Sequence, residues 1–257
     1  MSKFLPSFNK VTLLLRARAP LWLMWSRARV KFQAAASGEN RHYKDERNAF
    51  RALSKTYQFD DDWFTSNIPT WLHAFAQTDV QRDSPLKYLE IGSWQGRSTL
   101  FVAETLPNAH LTCADTWEGA DEHKSLHAGD AETLSTVEAV FDRNLGAHSE
   151  RITKVKATSY AYFQAHFEPN IFDIVYVDGS HHADDVIVDA AKSFEMLRVG
   201  GLMIFDDYFG GYYAHPLDNP AGAINAFLRL KQHQLEVVSF DYQLVVKKTK
   251  ASERWTE

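Results

Sequence analysis

Cysteine is almost missing from this chain: Cys113 is the single one in 257 residues. That excludes an internal disulfide framework and a multi-cysteine metal knot. Cys113 falls in an apolar run and is expected inside a strand. The densest apolar block near the start, Trp22-Leu23-Met24-Trp25, is far too short to span a bilayer. The dinucleotide signature G-x-G-x-x-G is absent as well. Acid is absent from residues 1–38, which hold Lys3, Lys10, Arg16, Arg18, Arg27, Arg29 and Lys31. The remaining chain then carries 21 basic against 33 acidic residues, so the overall charge of -5 conceals a body of -12. An acidic body argues against a nucleic-acid-binding face. Nothing requires or suggests secretion, and the expected location is cytoplasmic or organellar.

What is present begins with length and composition. At 257 residues and 45% hydrophobic content, the chain fits one α/β domain with an extension, or at most two small domains. Residues 1–38 form a basic leader ending in Ala34-Ala35-Ala36-Ser37-Gly38. Three readings compete for it: a poorly ordered tail, an Arg-rich transit peptide, or an amphipathic anchor on an anionic membrane surface. Residues 39–84 read as an N-terminal helical cap, with helices over 40–57 and 68–76. An Asp of Asp60-Asp61-Asp62 is placed to cap a helix start. Trp63, Phe64 and Trp71 are expected in the core, with a lid over a site as the alternative.

The chain is organised around Tyr88-Leu89-Glu90-Ile91-Gly92-Ser93-Trp94-Gln95-Gly96-Arg97. An apolar strand over 86–91 runs into a glycine turn and then a helix, which is the form of a nucleotide cradle. Gly92 permits a sharp turn with positive φ, and Gly96 removes a side chain where a ligand would lie against backbone. Glu90, expected to point at the ligand, would repel a diphosphate and suits a cationic ligand carrying an amine. A second strand over 109–114 ends at Asp115, placed to accept from two ribose hydroxyls; a turn cap is the plain alternative. Thr116 and Trp117 follow, and Trp117 could stack on adenine. His123 and His127 have metal-like spacing but no third ligand.

Further along, a helix over 132–145 leads to a strand over 151–156. That strand ends in Ala157-Thr158-Ser159, whose hydroxyls suit either the ligand or a helix cap. A continuous apolar strand over 171–177 delivers Asp178-Gly179-Ser180-His181-His182. A helix over 184–197, stopped by Gly200-Gly201, precedes a strand over 202–205 that delivers Asp206-Asp207-Tyr208. Two strands thus bring carboxylates to the carboxyl rim of one sheet, where ligands bind in open α/β folds. Asp178, Asp206 and Asp207 need something positive among them: a hard divalent cation such as Mg²⁺, a lysine, or shared protons. His181 and His182 are the candidate general bases, with helix capping as the alternative role. The loop over 210–220 with Tyr212, Tyr213 and His215 is expected to border an acceptor pocket.

The segments YLEIGSWQGRST, CADTWEG, FDIVYVDGSHHADDV, LRVGGLMIFDDY and DYQLVVKK, in this order, resemble the class I S-adenosylmethionine-dependent methyltransferases. The branch they resemble is related to metal-dependent sugar O-methyltransferases. The resemblance implies a Rossmann-like α/β fold over 85–249: a mostly parallel seven-stranded sheet with a C-terminal antiparallel hairpin and helices on both faces. It also implies S-adenosylmethionine held by Glu90, Gly92, Ser93, Gly96, Asp115, Thr116, Trp117, Thr158, Ser159 and Asp178. A divalent ion is implied on Asp178, Asp206 and Asp207, with a small hydroxylated acceptor. Where those relatives carry a second Asp as base, this chain has Ser180, which moves the base to His181. An NAD-type oxidoreductase, opposed by Glu90 and the missing glycine signature, and a non-catalytic cofactor-binding interaction protein are the rivals.

Overall fold

A computed structural model describes residues 10–36, 40–78, 80–119 and 131–252. Seven strands form one sheet: β1 (Lys87–Ile91), β2 (His110–Asp115), β3 (Ile152–Lys156), β4 (Phe172–Val177), β5 (Leu197–Phe205), β6 (Leu235–Phe240) and β7 (Leu244–Lys248). Their order is β3-β2-β1-β4-β5-β7-β6. β1 to β5 pair in parallel, while β7 lies antiparallel between β5 and β6. The expected seven-stranded Rossmann-like sheet with its closing hairpin is therefore present.

Strands buried on both faces read as apolar runs, and alternation decides which residue faces which layer. Leu89, Ile91, Val175, Val177, Met203 and Phe205 point into one layer. It is covered by α1 (Lys10–Arg16), α2 (Leu21–Ala36), α7 (Ser159–His166), α8 (Ala183–Met196) and α9 (Pro220–Lys231). Tyr88, Cys113, Ile174, Tyr176, Leu202 and Ile204 point into the other. That layer is covered by α3 (Asn40–Ser54), α4 (Ile68–Ala76), α5 (Arg97–Thr105) and α6 (Ala131–Leu145). Cys113 is buried in its strand, as expected.

The basic leader differs from a tail in residues 10–36. Leu13, Leu14, Leu23 and Val30 are buried in the same cluster as Val237 and Phe240. The turn between α1 and α2 is pinned to α9: the Asn225 side chain donates to the Ala17 carbonyl at 2.9 Å. Asn225 also accepts from the Tyr208 hydroxyl at 2.7 Å, so the leader braces the chain just after Asp207. The Arg27 guanidinium lies over the Phe209 and Phe240 rings, 5.3 and 5.4 Å from their centres.

Two local expectations are corrected. Helix α8 ends at Met196, and strand β5 starts immediately at Leu197, so Gly200-Gly201 lies inside a strand and stops no helix. Gly200 takes φ +87°, and a Cβ on Gly201 would come within 2.8 Å of the Asp173 carbonyl oxygen. The pair accommodates a register slip between Phe172 and Ile174. Second, residues 159–166 form a helix that the apolar pattern did not reveal, and Thr158 caps it by accepting from the Ala161 amide at 3.2 Å.

Candidate active site

Strand order reverses between β1 and β4, because chain connections from β1 run to one side of the sheet and those from β4 to the other. The crevice at such a reversal, outside the strands' carboxyl ends, is where open α/β folds bind ligands. Here the ends of β1 and β4 touch. The Asp178 amide donates to the Ile91 carbonyl at 2.8 Å. A Cβ on Gly92 would lie 2.0 Å from the Asp178 carbonyl oxygen.

Gly92 makes the positive-φ turn expected of it, and Gly96 lies against protein. Gly92 takes φ +84° and presses on the chain at Asp178. Gly96 takes φ +83° at the start of α5, and its Cβ would meet Leu145 at 2.4 Å and Phe141 at 3.0 Å. At both positions the missing side chain lets protein pack on protein.

Glu90 is placed differently from its expected position. Alternation turns it away from the rim and under α5, where it is fully buried. Its two oxygens accept from the Ser98 and Thr99 hydroxyls. Burial pushes its carboxyl up to about 7, against the pull of those hydroxyls.

Asp115 does face the rim. Its Oδ2 accepts from the Ser93 amide at 2.6 Å and the Trp94 amide at 2.8 Å, and its Oδ1 from the Trp117 amide at 2.6 Å. It knits the β1 turn to the β2 end. Thr116 accepts from the Glu118 amide at 3.2 Å, a local turn contact. Trp117 is buried: its ring meets Phe141 at 5.1 Å, lies under the Lys154 ammonium at 4.6 Å, and its indole donates to the Trp94 carbonyl at 3.0 Å. These contacts pack it into the core. Thr158 is spent on its helix cap, and Ser159 faces the buried Asp189 of α8. His123 and His127 lie outside the described residues.

At the ends of β4 and β5 three side chains converge. The His181 Nε2 lies 2.9 Å from Asp207 Oδ2 and 3.7 Å from Asp178 Oδ1. Ligating atoms of Asp178, His181 and Asp207 all fall within 4.8 Å of one another. His181 stacks on Tyr212, ring centres 4.3 Å apart. Asp207 accepts from the Tyr242 hydroxyl. Burial pushes the Asp207 carboxyl up, but the His181 charge and the hydrogen bonds from His181, Tyr242 and Tyr212 outweigh it and hold it below the usual range. For Asp178 burial wins over its hydrogen bonds, and its carboxyl is raised.

Asp206 stands apart from this group. It turns back to the Tyr176 hydroxyl, which also lies 2.9 Å from Asp178 Oδ2. Burial and the charges of Asp178 and Asp207 raise its carboxyl well above the usual value. A phenol has one proton, so it serves one of these two carboxyls, and the other contact needs a proton on the acid itself. A proton on Asp206 or on Asp178 satisfies that geometry. Of the expected trio Asp178, Asp206 and Asp207, the first and last converge with His181, while Asp206 is turned to Tyr176. His182 is no part of it: its Nδ1 accepts from the Asp184 amide at 3.3 Å and caps α8, with its ring edge-on to Tyr213.

Several participants escaped the sequence reading. Tyr176 and Gln243 continue inward as a polar chain. The Gln243 amide donates to the Tyr176 hydroxyl at 3.3 Å, and its carbonyl accepts from the Trp71 indole at 2.6 Å. Tyr176 looked like an ordinary member of an apolar strand; its only signal was a position two residues before Asp178. Segment 58–64 is strapped across the β1 turn. Gln95 and Asp60 bond reciprocally, at 2.5 Å from the Gln95 amide to the Asp60 carboxylate and 2.9 Å from the Asp60 amide back to Gln95. Asn144 donates to the carbonyls of Gln58 and Gln95 at 2.8 and 3.0 Å. The strap sets half-exposed Trp63 beside Trp94, rings 6.0 Å apart. Of the three aromatics weighed as core or lid, Phe64 and Trp71 are buried in the core.

Residues 89–208 match the family model described as a methyltransferase domain. With the sheet order, this match supports a class I S-adenosylmethionine-dependent methyltransferase. In particular, it is 28% identical over 170 residues to an uncharacterized protein of Acanthamoeba polyphaga mimivirus, covering 64% of this chain and 71% of that one. Among solved structures it is similar to the methyltransferase MycE of the mycinamycin biosynthetic pathway (TM-score 0.52, 19% identity), covering 79% of this chain and 55% of that longer one. It is also similar to the O-methyltransferase TomG of Streptomyces achromogenes (TM-score 0.50, 16% identity), covering 79% and 89%. At these identities the structural likeness is one of fold.

Proposed function

We propose that this protein transfers a methyl group from S-adenosylmethionine to a hydroxyl of a small acceptor, with a divalent cation held by Asp178, His181 and Asp207. The observation that carries the reading is the convergence of these three side chains at the ends of β4 and β5, where Asp178 abuts the Gly92 turn at the sheet's reversal point. Two carboxylates and an imidazole within 4.8 Å form an O, N, O donor set for a divalent ion: the carboxylates suit Mg²⁺ or Mn²⁺, and the imidazole suits a softer ion such as Fe²⁺ or Zn²⁺. The TomG structure is a complex with S-adenosylmethionine, and the MycE structure is a complex with Mg, S-adenosylhomocysteine and mycinamycin VI.

The donor would lie along the rim between the Ser93–Gln95 turn, Asp115 and Asp178. Asp115 already accepts from three amides, so about one of its roughly four lone-pair sites remains for a ribose hydroxyl. A cation held by the trio would lower the pKa of an acceptor hydroxyl, whose proton would pass to water as the methyl group leaves the sulfonium for the oxygen and S-adenosylhomocysteine is released. The chain's own part is alignment and exclusion of water: Tyr212 packs on His181 and walls the site, and the 58–64 strap with Trp63 and Trp94 covers the turn.

A second reading keeps the same transfer without metal. Asp207 orients His181 at 2.9 Å, the arrangement of a carboxylate-held general base. Dialysis against a chelator separates the two. On the metal reading, turnover of a hydroxylated acceptor, followed as S-adenosylhomocysteine release, falls at least about a hundredfold and returns with Mg²⁺. Unchanged turnover after chelation leaves the metal-free base. Absence of any calorimetric signal with S-adenosylmethionine would overturn both.

A further inference from the structure

Helix α2 is apolar on two sides, and the fold covers one of them. Its inner side, with Leu23 and Val30, is buried against the body. Its outer side carries Leu21, Trp25, Ala28 and Phe32, spaced by four, three and four residues, which is one face of a helix. Leu21 is 76% exposed, Trp25 78% and Phe32 76%, and Leu15 at the end of α1 adds a further 64% exposed side chain. Single exposed apolar residues are ordinary on a soluble domain; a stripe of this length that includes tryptophan marks a contact surface.

The charges around the stripe state what it would meet. Residues 10–36 hold Lys10, Arg16, Arg18, Arg27, Arg29 and Lys31 with no acid. Glu236 pairs with Arg29 at 3.3 Å, and Asp241 with Lys10 and Lys31 at 3.6 and 3.9 Å. These two acids offset part of the charge, and six cations against two acids leave this face with a net of about +4. Beside the start of the stripe, a groove of about 320 Å³ opens between the α1–α2 turn and the 215–217 loop, lined by Arg16, Arg18, His215, Pro216 and Leu217.

We propose that this face docks the protein on the surface of an anionic phospholipid bilayer. Leu21, Trp25 and Phe32 enter the boundary between headgroups and acyl chains, and Arg16 and Arg18 meet lipid phosphates at the groove. A helix with Trp, Phe and Leu on one side and long cations beside them has the composition of an in-plane interfacial helix. Its 16 residues lie about 24 Å along the surface. Among the described residues no helix is long and apolar enough to cross a membrane. The acidic remainder of the chain orients the encounter, since an anionic surface attracts the leader and repels the body.

The test is vesicle flotation of the full chain, without methyl donor, so that it stands or falls apart from the proposed reaction. Vesicles of phosphatidylcholine alone are compared with vesicles containing about 30% phosphatidylglycerol. Binding is expected to be at least about tenfold tighter to the anionic vesicles and to weaken with salt. Trp25→Ser with Phe32→Ser should reduce it at least about tenfold, as should Arg16→Glu with Arg18→Asn. All four residues are exposed, and Asn tolerates the positive φ of Arg18, so thermal melting should stay unchanged as a control. The proposal is overturned by absent binding to anionic vesicles, or by binding that ignores the Trp25 and Phe32 changes. It is also overturned by a vesicle-free dimer that those two changes disperse, which would make a second copy the occupant.

Discussion

Glu90 shows how one residue's role turns on the direction of its side chain. As a buried acid bonded to Ser98 and Thr99, its carboxyl stands at about 7 rather than the ordinary 4.5. A raised acid favours the folded state most below its unfolded value, and that contribution fades as pH rises from about 4.5 to about 7. The difference is worth about 3 kcal/mol at most. Glu90→Gln is therefore expected to melt above the parent at pH near 8 and level with it near pH 5. Melting curves that run parallel at both would mean that the carboxylate is not under strain. At the rim, Asp178→Ala, His181→Ala and Asp207→Ala should each cut turnover by about a hundredfold or more while calorimetry still detects S-adenosylmethionine. Asp206→Asn should cost much less, because an amide can stand in for a protonated acid beside Tyr176. Equal losses at Asp206 and Asp207 would return Asp206 to the ligand set.

At the scale of elements, the β1 turn is fixed by three neighbours. Asp115 gathers its amides, Gly92 lets it press on β4, and the 58–64 strap closes over it. Gly92→Ala places a Cβ 2.0 Å from a backbone oxygen, which cannot move without shifting β4. Gly96→Ala meets the flexible end of Leu145. Urea unfolding should show the first as the more damaging, on the order of 3 kcal/mol or more against about 1 to 2. Asn144→Ala leaves the Gln58 and Gln95 carbonyls without their buried donor, a loss of about 1 to 3 kcal/mol. It should also weaken methyl-donor binding more than it changes the rate at saturation. This strap was hidden in the sequence, where Asn144 ends an amphipathic helix and Gln95 looks like turn filler. Their bonds join residues 86 and 35 positions apart in the chain. Local pattern could show the helices over 40–54 and 68–76; it had no means to show that the link between them reaches the glycine turn.

For the whole molecule, residues 10–36 pack as part of the body. Leu23 is fully buried in the cluster that includes Phe205 and Phe227. Leu23→Ala should destabilise the protein by about 2 to 4 kcal/mol in denaturant titration. A change near zero would mean that residues 10–36 fold apart from the sheet. Asn225 carries this support inward, from the Ala17 carbonyl to Tyr208 beside Asp207. Truncation before residue 40 is thus expected to lower both solubility and turnover.

Sequence alone determined the alternation of strands and helices, the strand ends that carry Gly92, Asp115, Asp178 and Asp206-Asp207, and the closing hairpin. These follow from short-range rules: periodicity, glycine turns and apolar runs act within a few residues of themselves. Tertiary structure decided which carboxylates meet. Strand pairing brings β4 beside β5, and a positive φ of 50° at Asp207 turns its side chain to His181 while Asp206 turns back to Tyr176. Adjacent residues of identical chemistry cannot be told apart by pattern. Only the neighbours they reach in space, a phenol for one and an imidazole for the other, assign the shared proton and the candidate metal ligand.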